Sequence, residues 1–296
     1  MTAPDKTLTT PTQTPNRFER DTRRKIINMV FVVLATGATA FAVGALLLIL
    51  YSLVVNGLGG INLAVFTMDQ PPPGEVGGLR NAILGSIIMC TMGMALAVVV
   101  GILSGTWLAE YGDGSRIAST VRFLNDVLLS APSILVGLFV YEMLVRPFHG
   151  FSALAGAVAL AFLATPVVTR TTEDILRLQS GALREAGMAL GANRGFVIRT
   201  IIWRASQSGL VTGALLGFAR ISGETAPLLF TSLGNPFQSF RLDQPMAALP
   251  TTIFQFALSA YDDWRRLAWV GALLIATTVL AINILGRVLT RGSTHK

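Results

Sequence analysis

The segment INMVFVVLATGATAFAVGALLLILYSLVV, residues 27–55, contains no charged side chain. A helix needs about 20 consecutive apolar residues to cross the roughly 30 Å hydrocarbon core of a bilayer, and this segment is longer than that. It is also too long for the apolar core of a signal peptide, and no cleavage site of the A-x-A type follows it. Residues 27–55 therefore predict a first membrane-spanning helix. The preceding residues 1–25 are polar and rich in Thr and Pro, which predicts a flexible tail.

The composition of the whole chain agrees with a membrane protein. Of the 296 residues, 52% are hydrophobic and 13% are charged, and the mean hydropathy is +0.61. Soluble domains carry about 25% charged residues, so an ordinary soluble fold is excluded. The net charge of +7 is distributed between apolar runs and forms no single basic face, which argues against nucleic-acid binding.

Several chemistries are excluded by residue counts. Cys90 is the single cysteine, so neither a disulfide framework nor a thiolate metal site can form. The two histidines, His149 and His295, are isolated, and no metal site is expected. All three lysines lie near the chain ends, at positions 6, 25 and 296, so the interior has no phosphate-binding loop of the form G-x-x-x-x-G-K-[ST]. The chain is therefore not expected to hydrolyse ATP by that route.

Five further apolar windows have the length of a span, which predicts six membrane-spanning helices. An N-in/C-in orientation places 17 of the Lys and Arg residues inside and 5 outside, in agreement with the positive-inside rule. Residues 26–291 then form one transmembrane domain between cytoplasmic tails at 1–25 and 292–296, with a long inner loop at 170–208. The apolar stretch 246–260 is short and contains Pro250, so we expect an outer-face or re-entrant helix there. The five windows are residues 81–108, 127–145, 152–169, 209–231 and 267–289.

The inner loop contains a short amphipathic pattern, LREAGMALG, at residues 183–191. Leu183, Ala186 with Gly187, and Leu190 fall on one helical face, which is narrow and built partly from small residues. Such a helix is suited to dock in the groove of a partner protein. From composition alone, an interfacial helix lying on anionic lipid is equally consistent.

The same loop carries a family resemblance. The order Glu185-Ala186-Gly187-x3-Gly191-x9-Ile201 resembles the E-A-A-x3-G-x9-I-x-L-P signature of the permeases of ATP-binding-cassette (ABC) importers. Gly187 stands where Ala is usual, and Trp203-Arg204 replace Leu-Pro. The resemblance implies a type I ABC importer permease fold, all-α. It also implies that the loop helix couples this chain to an ATPase through Leu183, Glu185, Ala186, Gly187, Leu190 and Gly191.

Further segments narrow the resemblance to the PstA family of phosphate importer permeases. The family implies that the chain lines the path for inorganic phosphate in the inner membrane, together with a PstC-like permease. It further implies a PstB-like ATPase dimer, which binds ATP and Mg, and an external PstS-like phosphate-binding protein; this chain itself is expected to bind no cofactor and to be no enzyme. The segments are residues 108–112, 129–134, 137–141, 170–173 and 219–231.

Two charged residues inside the fifth window can be interpreted without the family. Arg220 lies 11 residues beyond Gly209, which at 1.5 Å per residue is roughly 16 Å into the membrane. An arginine at that depth costs about 2.5–3.5 kcal/mol and needs a partner or water. Glu224, at i+4, is the expected partner. Either the two form a structural ion pair, or Arg220 offers an anion a charge-assisted site that Glu224 orients or competes for.

Arg170 is the second candidate for guiding an anion, since it follows Pro166 at the inner end of the fourth window. Simple snorkelling of its side chain to the interface is the alternative. Gly223 and Pro227 flank Glu224, and Pro132 interrupts the third window. These three residues predict kinks or gating points, or else relief of helix packing.

Three other functions compete with phosphate import. A permease for another oxyanion, such as sulfate or molybdate, shares the architecture and the loop helix. An intramembrane hydrolase using Glu224 needs a second catalytic group at the same depth, and the spans offer none. A secondary transporter needs coupling-ion residues and usually an internal repeat, and neither is evident.

Overall fold

The computed structural model describes the backbone of residues 17–292 and the side chains of residues 24–288. Residues 1–16 of the predicted N-terminal tail and residues 293–296 of the predicted C-terminal tail lie outside this range. The first helix begins at Arg17. The segment predicted as a flexible tail is therefore helical from Arg17 onward.

The described residues form helices, turns and loops, with no strand between residues 17 and 292. This confirms the predicted all-α class. Two helices continue into π-helical turns, α5 into Tyr141–Val145 and α8 into Ile198–Ile202. The helices are α1 (Arg17–Leu58), α2 (Leu63–Thr67), α3 (Arg80–Glu110), α4 (Arg116–Ser130), α5 (Ser133–Val140), α6 (Ala153–Arg177), α7 (Gly181–Ala189), α8 (Arg194–Val197), α9 (Trp203–Ala205), α10 (Gln207–Ile221), α11 (Ala226–Thr231), α12 (Leu249–Ala257) and α13 (Asp262–Gly292).

The chain divides into two compact units, residues 1–52 and 53–296. The described part of the first unit is the N-terminal portion of α1. The second unit contains the end of α1 and every other helix. Its main core is formed by buried side chains of α3, α6, α10 and α11, among them Met89, Leu160, Leu163, Ile221 and Leu228.

Within the second unit, α6 lies between α3 and α10, and glycines allow both contacts to be close. A Cβ atom added at Gly105 of α3 would lie 2.6 Å from the carbonyl oxygen of Thr169, and one at Gly101 would lie 2.7 Å from the Cβ of Val168. On the other side, Gly213 and Gly217 of α10 meet Thr171 and Val168 of α6. Small residues at such contacts bring helix backbones together. Helix α6 is therefore held tightly on two sides.

Among the residues that the structure describes, four helices are long and apolar enough to cross a membrane by themselves, and they coincide with the first, second, fourth and sixth predicted windows. They are α1 from Arg24, α3, α6 and α13. The third window is a broken pair, α4 and α5, bent by 106°, and counting the pair as one span gives five. The fifth window is divided between α10 and α11. Both interruptions fall where kinks were predicted, at Pro132 in the third window and at Gly223 and Pro227 in the fifth.

Proline explains both interruptions. Ala131 precedes Pro132 and is extended (φ −66°, ψ 137°), because the proline ring disfavours helical geometry at the residue before it. Pro227 lies at the start of α11. It has no N–H for the carbonyl of Gly223, and its ring would clash with that carbonyl in a continuous helix. The chain therefore leaves helical geometry between Ile221 and Ala226.

The apolar stretch 246–260 contains only a nine-residue helix, α12, with Pro250 in its first turn. Nine helical residues span about 14 Å, which is too short for a crossing. This agrees with the expectation that the stretch is not a seventh span. Its outer-face or re-entrant placement stays a prediction.

At the end of α3 that lies away from α7, Asp69 connects two loops. Its carboxylate accepts hydrogen bonds from Arg80 Nε (2.9 Å) and from the backbone N–H of Gln238 (3.1 Å). The hydrogen bond from Arg80 lowers the pKa of the Asp69 carboxyl below its ordinary value by more than burial raises it, and the Gln238 N–H lowers it further. The loop after α11 is therefore fixed to the start of α3.

Replacement of Gly105 by valine tests the tight contact between α3 and α6. The new side chain would overlap the α6 backbone at Thr169, and overpacking of this kind costs about 1–3 kcal/mol. Thermal unfolding of the purified protein in detergent should occur at lower temperature. Gly37→Val is the matched control, since a Cβ at Gly37 meets nothing within 4 Å. Equal midpoints for the two variants would contradict the packing.

Candidate functional site

The loop after α6 folds into the predicted short helix, α7, Gly181–Ala189. Its C-terminal end is set by Gly191, whose φ of +84° places it in the left-handed region that glycine adopts without strain. The N–H of Gly191 donates to the carbonyl of Met188 (2.9 Å). Gly191 therefore shapes the helix end, and its effect on any coupling is indirect.

The residues predicted to share one face of α7 are divided between two sides. Gly187 is buried, and a Cβ there would lie 2.9 Å from Cγ2 of Val197 and 3.1 Å from Cδ1 of Ile201. Leu190 is 89% exposed, and Leu183 and Ala186 are also exposed. The prediction that Gly187 belongs to the docking face was wrong, because its position is rotated toward the following helix. Leu183, Ala186 and Leu190, with the exposed carboxylate of Glu185, form the accessible face of α7.

Arg184 attaches α7 to the ends of α3 and α6. Its Nε lies 3.0 Å from both carboxylate oxygens of Glu110, and its Nη2 lies 2.6 Å from Oε1. The same guanidinium donates to the carbonyl of Leu176 near the end of α6 (2.8 Å) and to that of Gln179 in the turn after it (2.7 Å). The Glu110 side chain is 2% exposed. We call this arrangement the Glu110–Arg184 link.

The other end of the loop is attached to the same residue of α3. Arg194 Nη2 donates to the backbone carbonyl of Glu110, and its guanidinium lies 4.5 Å from the ring centroid of Tyr111 in a cation–π contact. The side chain of Asn193 caps α8 by accepting from the N–H of Phe196 (2.8 Å). The turn between α7 and α8 is thus held from both sides.

A second buried carboxylate, Glu173 of α6, lies nearby in the fold. Its side chain is 4% exposed and accepts from Arg122 Nε of α4 (2.7 Å). Arg177 lies 3.1 Å from the same oxygen and also pairs with Asp113 (3.1 Å). Arg122 donates further to the carbonyl of Leu108 at the end of α3. Glu110 and Glu173 together connect α3, α4, α6, α7 and α8.

The predicted ion pair between Arg220 and Glu224 does not form. Helix α10 ends at Ile221 and Glu224 donates its N–H to the Ile221 carbonyl in a turn (3.2 Å), so the i+4 geometry of a helix is lost. Both side chains are half-buried. Among the side chains of residues 24–288, neither Arg220 nor Glu224 takes part in an ion pair.

Arg170, the second candidate on the anion path, lies between two carboxylates. Its Nε is 3.3 Å from Asp174, and its Nη1 is 3.9 Å from Asp126 of α4. Its side chain is about half exposed. The neighbouring acids offset much of the charge that an anion would meet.

The three predicted kink residues lie at the two helix breaks. Pro132 stands between α4 and α5, and Gly223 is exposed between α10 and α11. Pro227 is buried against Gly137 of α5, where an added Cβ would lie 2.6 Å from the proline Cα. The second halves of the two broken helices therefore pack on each other.

Neither Glu110 nor Glu173 was predicted as a site residue, although they lie in the segments 108–112 and 170–173 that resemble the PstA family. Both lie at the ends of apolar runs and next to arginine-rich segments, which is the signal that could have found them. A carboxylate that folding buries requires a cation, and the surplus of arginines in this region supplies it. No cluster of His, Cys, Asp and Glu suited to a metal ion occurs in the part of the chain that the structure describes.

Comparison with known proteins gives the family. Residues 97–295 match the family described as "Binding-protein-dependent transport system inner membrane component". The "Phosphate transport system permease protein PstA" of Xylella fastidiosa is 48% identical over 268 residues, covering 90% of this chain and 93% of the relative. The protein of that name from Haemophilus influenzae is 50% identical over 239 residues, or 81% and 85% of the two chains. This chain belongs to the binding-protein-dependent transport permeases, and within them to the PstA family.

The fold of a solved relative agrees. A chain of the MetNI methionine ABC transporter superposes with a TM-score of 0.61 at 19% identity, covering 73% of this permease and 95% of that chain. The predicted ABC permease fold is confirmed. Family membership also confirms the inner membrane location and shows that this permease is a transport component and not an enzyme.

Removal of the buried charge at Glu173 should destabilise the permease. Glu173→Gln leaves Arg122 and Arg177 without their shared carboxylate, and breaking a buried pair of this kind costs roughly 3 kcal/mol. Denaturant unfolding in detergent measures this cost. Asp174→Asn is the control, because Asp174 is 58% exposed and its pair with Arg170 contributes about 1 kcal/mol or less. Equal losses in the two variants would refute a special role for the buried carboxylate.

Proposed function

We propose that this chain is a permease subunit that forms, with a homologous PstC-like permease, the membrane path of an ATP-driven importer for inorganic phosphate. The observation that carries this proposal is the 48% identity to a phosphate transport permease over 90% of the chain. The partners are a PstB-like ATPase dimer, which holds ATP and Mg, and a PstS-like phosphate-binding protein outside. The chain itself needs no cofactor.

Six crossings with both termini inside fit this role. Besides α1, α3, α6 and α13, the broken pair α4–α5 forms the third crossing and the broken pair α10–α11 forms the fifth. The arginine-rich segment 170–208 is then cytoplasmic, as the distribution of positive charge favours. This arrangement places α7 on the side where an ATPase can reach it.

In this importer, α7 is the contact with the ATPase. Its exposed face, Leu183, Glu185, Ala186 and Leu190, suits a partner's groove, because apolar and small side chains allow close approach around one carboxylate. Gly187 and Gly191 support this contact indirectly, by packing and by ending the helix. Anionic lipid is a poorer match, since the exposed charge on α7 itself is that of Glu185.

Arg220 is the candidate for contact with phosphate. It lies at the end of α10, next to the break before α11, where its guanidinium can offer charge-assisted hydrogen bonds to an anion. Glu224, four residues on in the same break, supplies a competing carboxylate that keeps binding weak, as rapid passage requires. Arg170 is the weaker candidate because Asp126 and Asp174 already surround it.

The two helix breaks are the candidate gating points. Pro132 and Pro227 interrupt their helices permanently, so bending there requires no rupture of a helical hydrogen bond. The contact between Gly137 and Pro227 links the two breaks. A movement of one crossing is therefore expected to displace the other.

Uptake of labelled phosphate by vesicles containing the full assembly tests this function, with sulfate as the competing substrate. Arg220→Gln should lower ATP-dependent phosphate uptake about tenfold or more, since a hydrogen bond to a charged group contributes about 1.5–3 kcal/mol. Glu224→Gln should alter uptake with assembly intact, and Arg170→Gln should have a smaller effect.

Arg116→Gln, at an exposed arginine, is the control and should transport normally. Normal uptake by both the Arg220 and Glu224 variants would refute the site assignment. Transport of sulfate in place of phosphate by the wild type would refute the substrate and leave the permease role standing.

A further inference from the structure

We infer that Glu110 and Arg184 are positioning residues that make α7 move as one rigid body with the ends of α3 and α6. Through this link, a displacement of α7 by the ATPase reaches the membrane helices. The inference rests on the proposed contact between α7 and the ATPase. Neither residue needs to touch phosphate, ATP or the ATPase itself.

Helix α7 is poorly supported without this link. It has nine residues, and isolated helices shorter than about 12–15 residues are marginally stable in water. Gly187 is its only buried residue, and glycine contributes no side chain to a core. Packing alone therefore gives α7 little resistance to tilting or unfolding when a partner moves it.

Arg184 provides that resistance because every N–H of its guanidinium is used. The Nε and one Nη2 hydrogen reach the Glu110 carboxylate, and the other Nη2 hydrogen reaches the carbonyl of Leu176. Nη1 donates to the carbonyls of Gln179 (2.7 Å) and Ser180 (3.4 Å). A planar, fully bonded guanidinium fixes orientation as well as distance, which a lysine ammonium does not.

Burial makes the link difficult to open. The Glu110 side chain is 2% exposed and that of Arg184 is 21% exposed, so separating them leaves a carboxylate in the protein interior without a counter-charge. The backbone carbonyl of the same Glu110 binds Arg194 beyond the turn that follows α7. One residue at the end of α3 thus holds the loop on both sides of its exposed tip, Leu190.

A displacement of α7 that reaches α3 and α6 moves these helices together, because they are tightly packed on each other. At Gly101 and Gly105 the two helices are in backbone contact, so neither can slide independently over the other. Gly213 and Gly217 extend the same close contact from α6 to α10, which ends at the break beside Arg220. A continuous path of closely packed helices therefore connects α7 to the candidate anion site.

The test measures phosphate transported per ATP hydrolysed in the assembled transporter. Glu110→Gln and Arg184→Gln should assemble and hydrolyse ATP, with transport per ATP lowered roughly fivefold or more. Arg184→Lys should be intermediate, since it keeps the charge and loses the fork. The double variant should be no worse than either single one, because the two residues act as a unit. Asp113→Asn, in a pair whose carboxylate is 87% exposed, is the control and should couple normally.

Hydrogen exchange of residues 181–191 gives a second measurement that needs no transport. It should quicken in the Glu110 and Arg184 variants and stay unchanged in Asp113→Asn. Normal transport per ATP together with normal hydrogen exchange in the Glu110 and Arg184 variants would overturn the inference. A parallel loss of assembly, ATPase activity and uptake would also overturn it, because that pattern marks a purely structural role. Different results would show that the proposed function itself is wrong. The wild type would not import phosphate, or Leu190→Ser on the exposed face of α7 would leave ATP-driven uptake unchanged.

Discussion

The arrangement of α4, α7 and α8 around the ends of α3 and α6 depends on two buried carboxylates, each of which requires a cation. Glu110 and Glu173 are almost completely removed from solvent, and a charge in such a place is stable only with well-placed cations. Three arginines meet this requirement, Arg122 of α4, Arg177 of α6 and Arg184 of α7, and their ion pairs bring these helices together with the end of α3. The interior of the chain contains arginine and no lysine, in keeping with the need for bidentate pairing.

The membrane-embedded part depends on close backbone contact in place of charge. Helix α6 has glycine contacts on both sides, so α3, α6 and α10 form a stiff unit. The breaks at Pro132 and before Pro227 lie at the edges of this unit. A stiff centre with interrupted helices at its border is the arrangement that the proposed gating at the breaks requires.

Much of the fold could be predicted because membrane spans depend on length and apolarity, which are local properties. The windows at 27–55, 81–108, 152–169 and 267–289 became continuous helices, and the pattern at 183–191 became α7. The third and fifth windows became broken helices at the positions where Pro132, Gly223 and Pro227 predicted kinks, because proline interrupts helical hydrogen bonding. The Arg220–Glu224 pair failed for the same reason, since i+4 spacing brings side chains together only in an unbroken helix.

The most informative contact could not be derived from local pattern at all. Glu110 and Arg184 are 74 residues apart, and which arginine pairs with which buried acid depends on how α3 and α6 pack. The burial of Gly187 escaped prediction likewise, because it depends on Val197 and Ile201 in the next helix. Residues whose role is set by their own segment were predictable, and residues whose role is set by a distant segment were not.

The rigid attachment of α7 can be measured by electron–electron distance spectroscopy on the assembled transporter. Spin labels at Ala189 of α7 and Val99 of α3, both exposed, are placed in a Cys90→Ala background that removes the single native cysteine. If α7 is rigidly attached, the same narrow distance distribution is expected with and without trapped ATP, and a broadened one in the Glu110→Gln variant. A distance that shifts with nucleotide in the otherwise native chain would show that α7 hinges on its own, and would contradict its rigid attachment to α3.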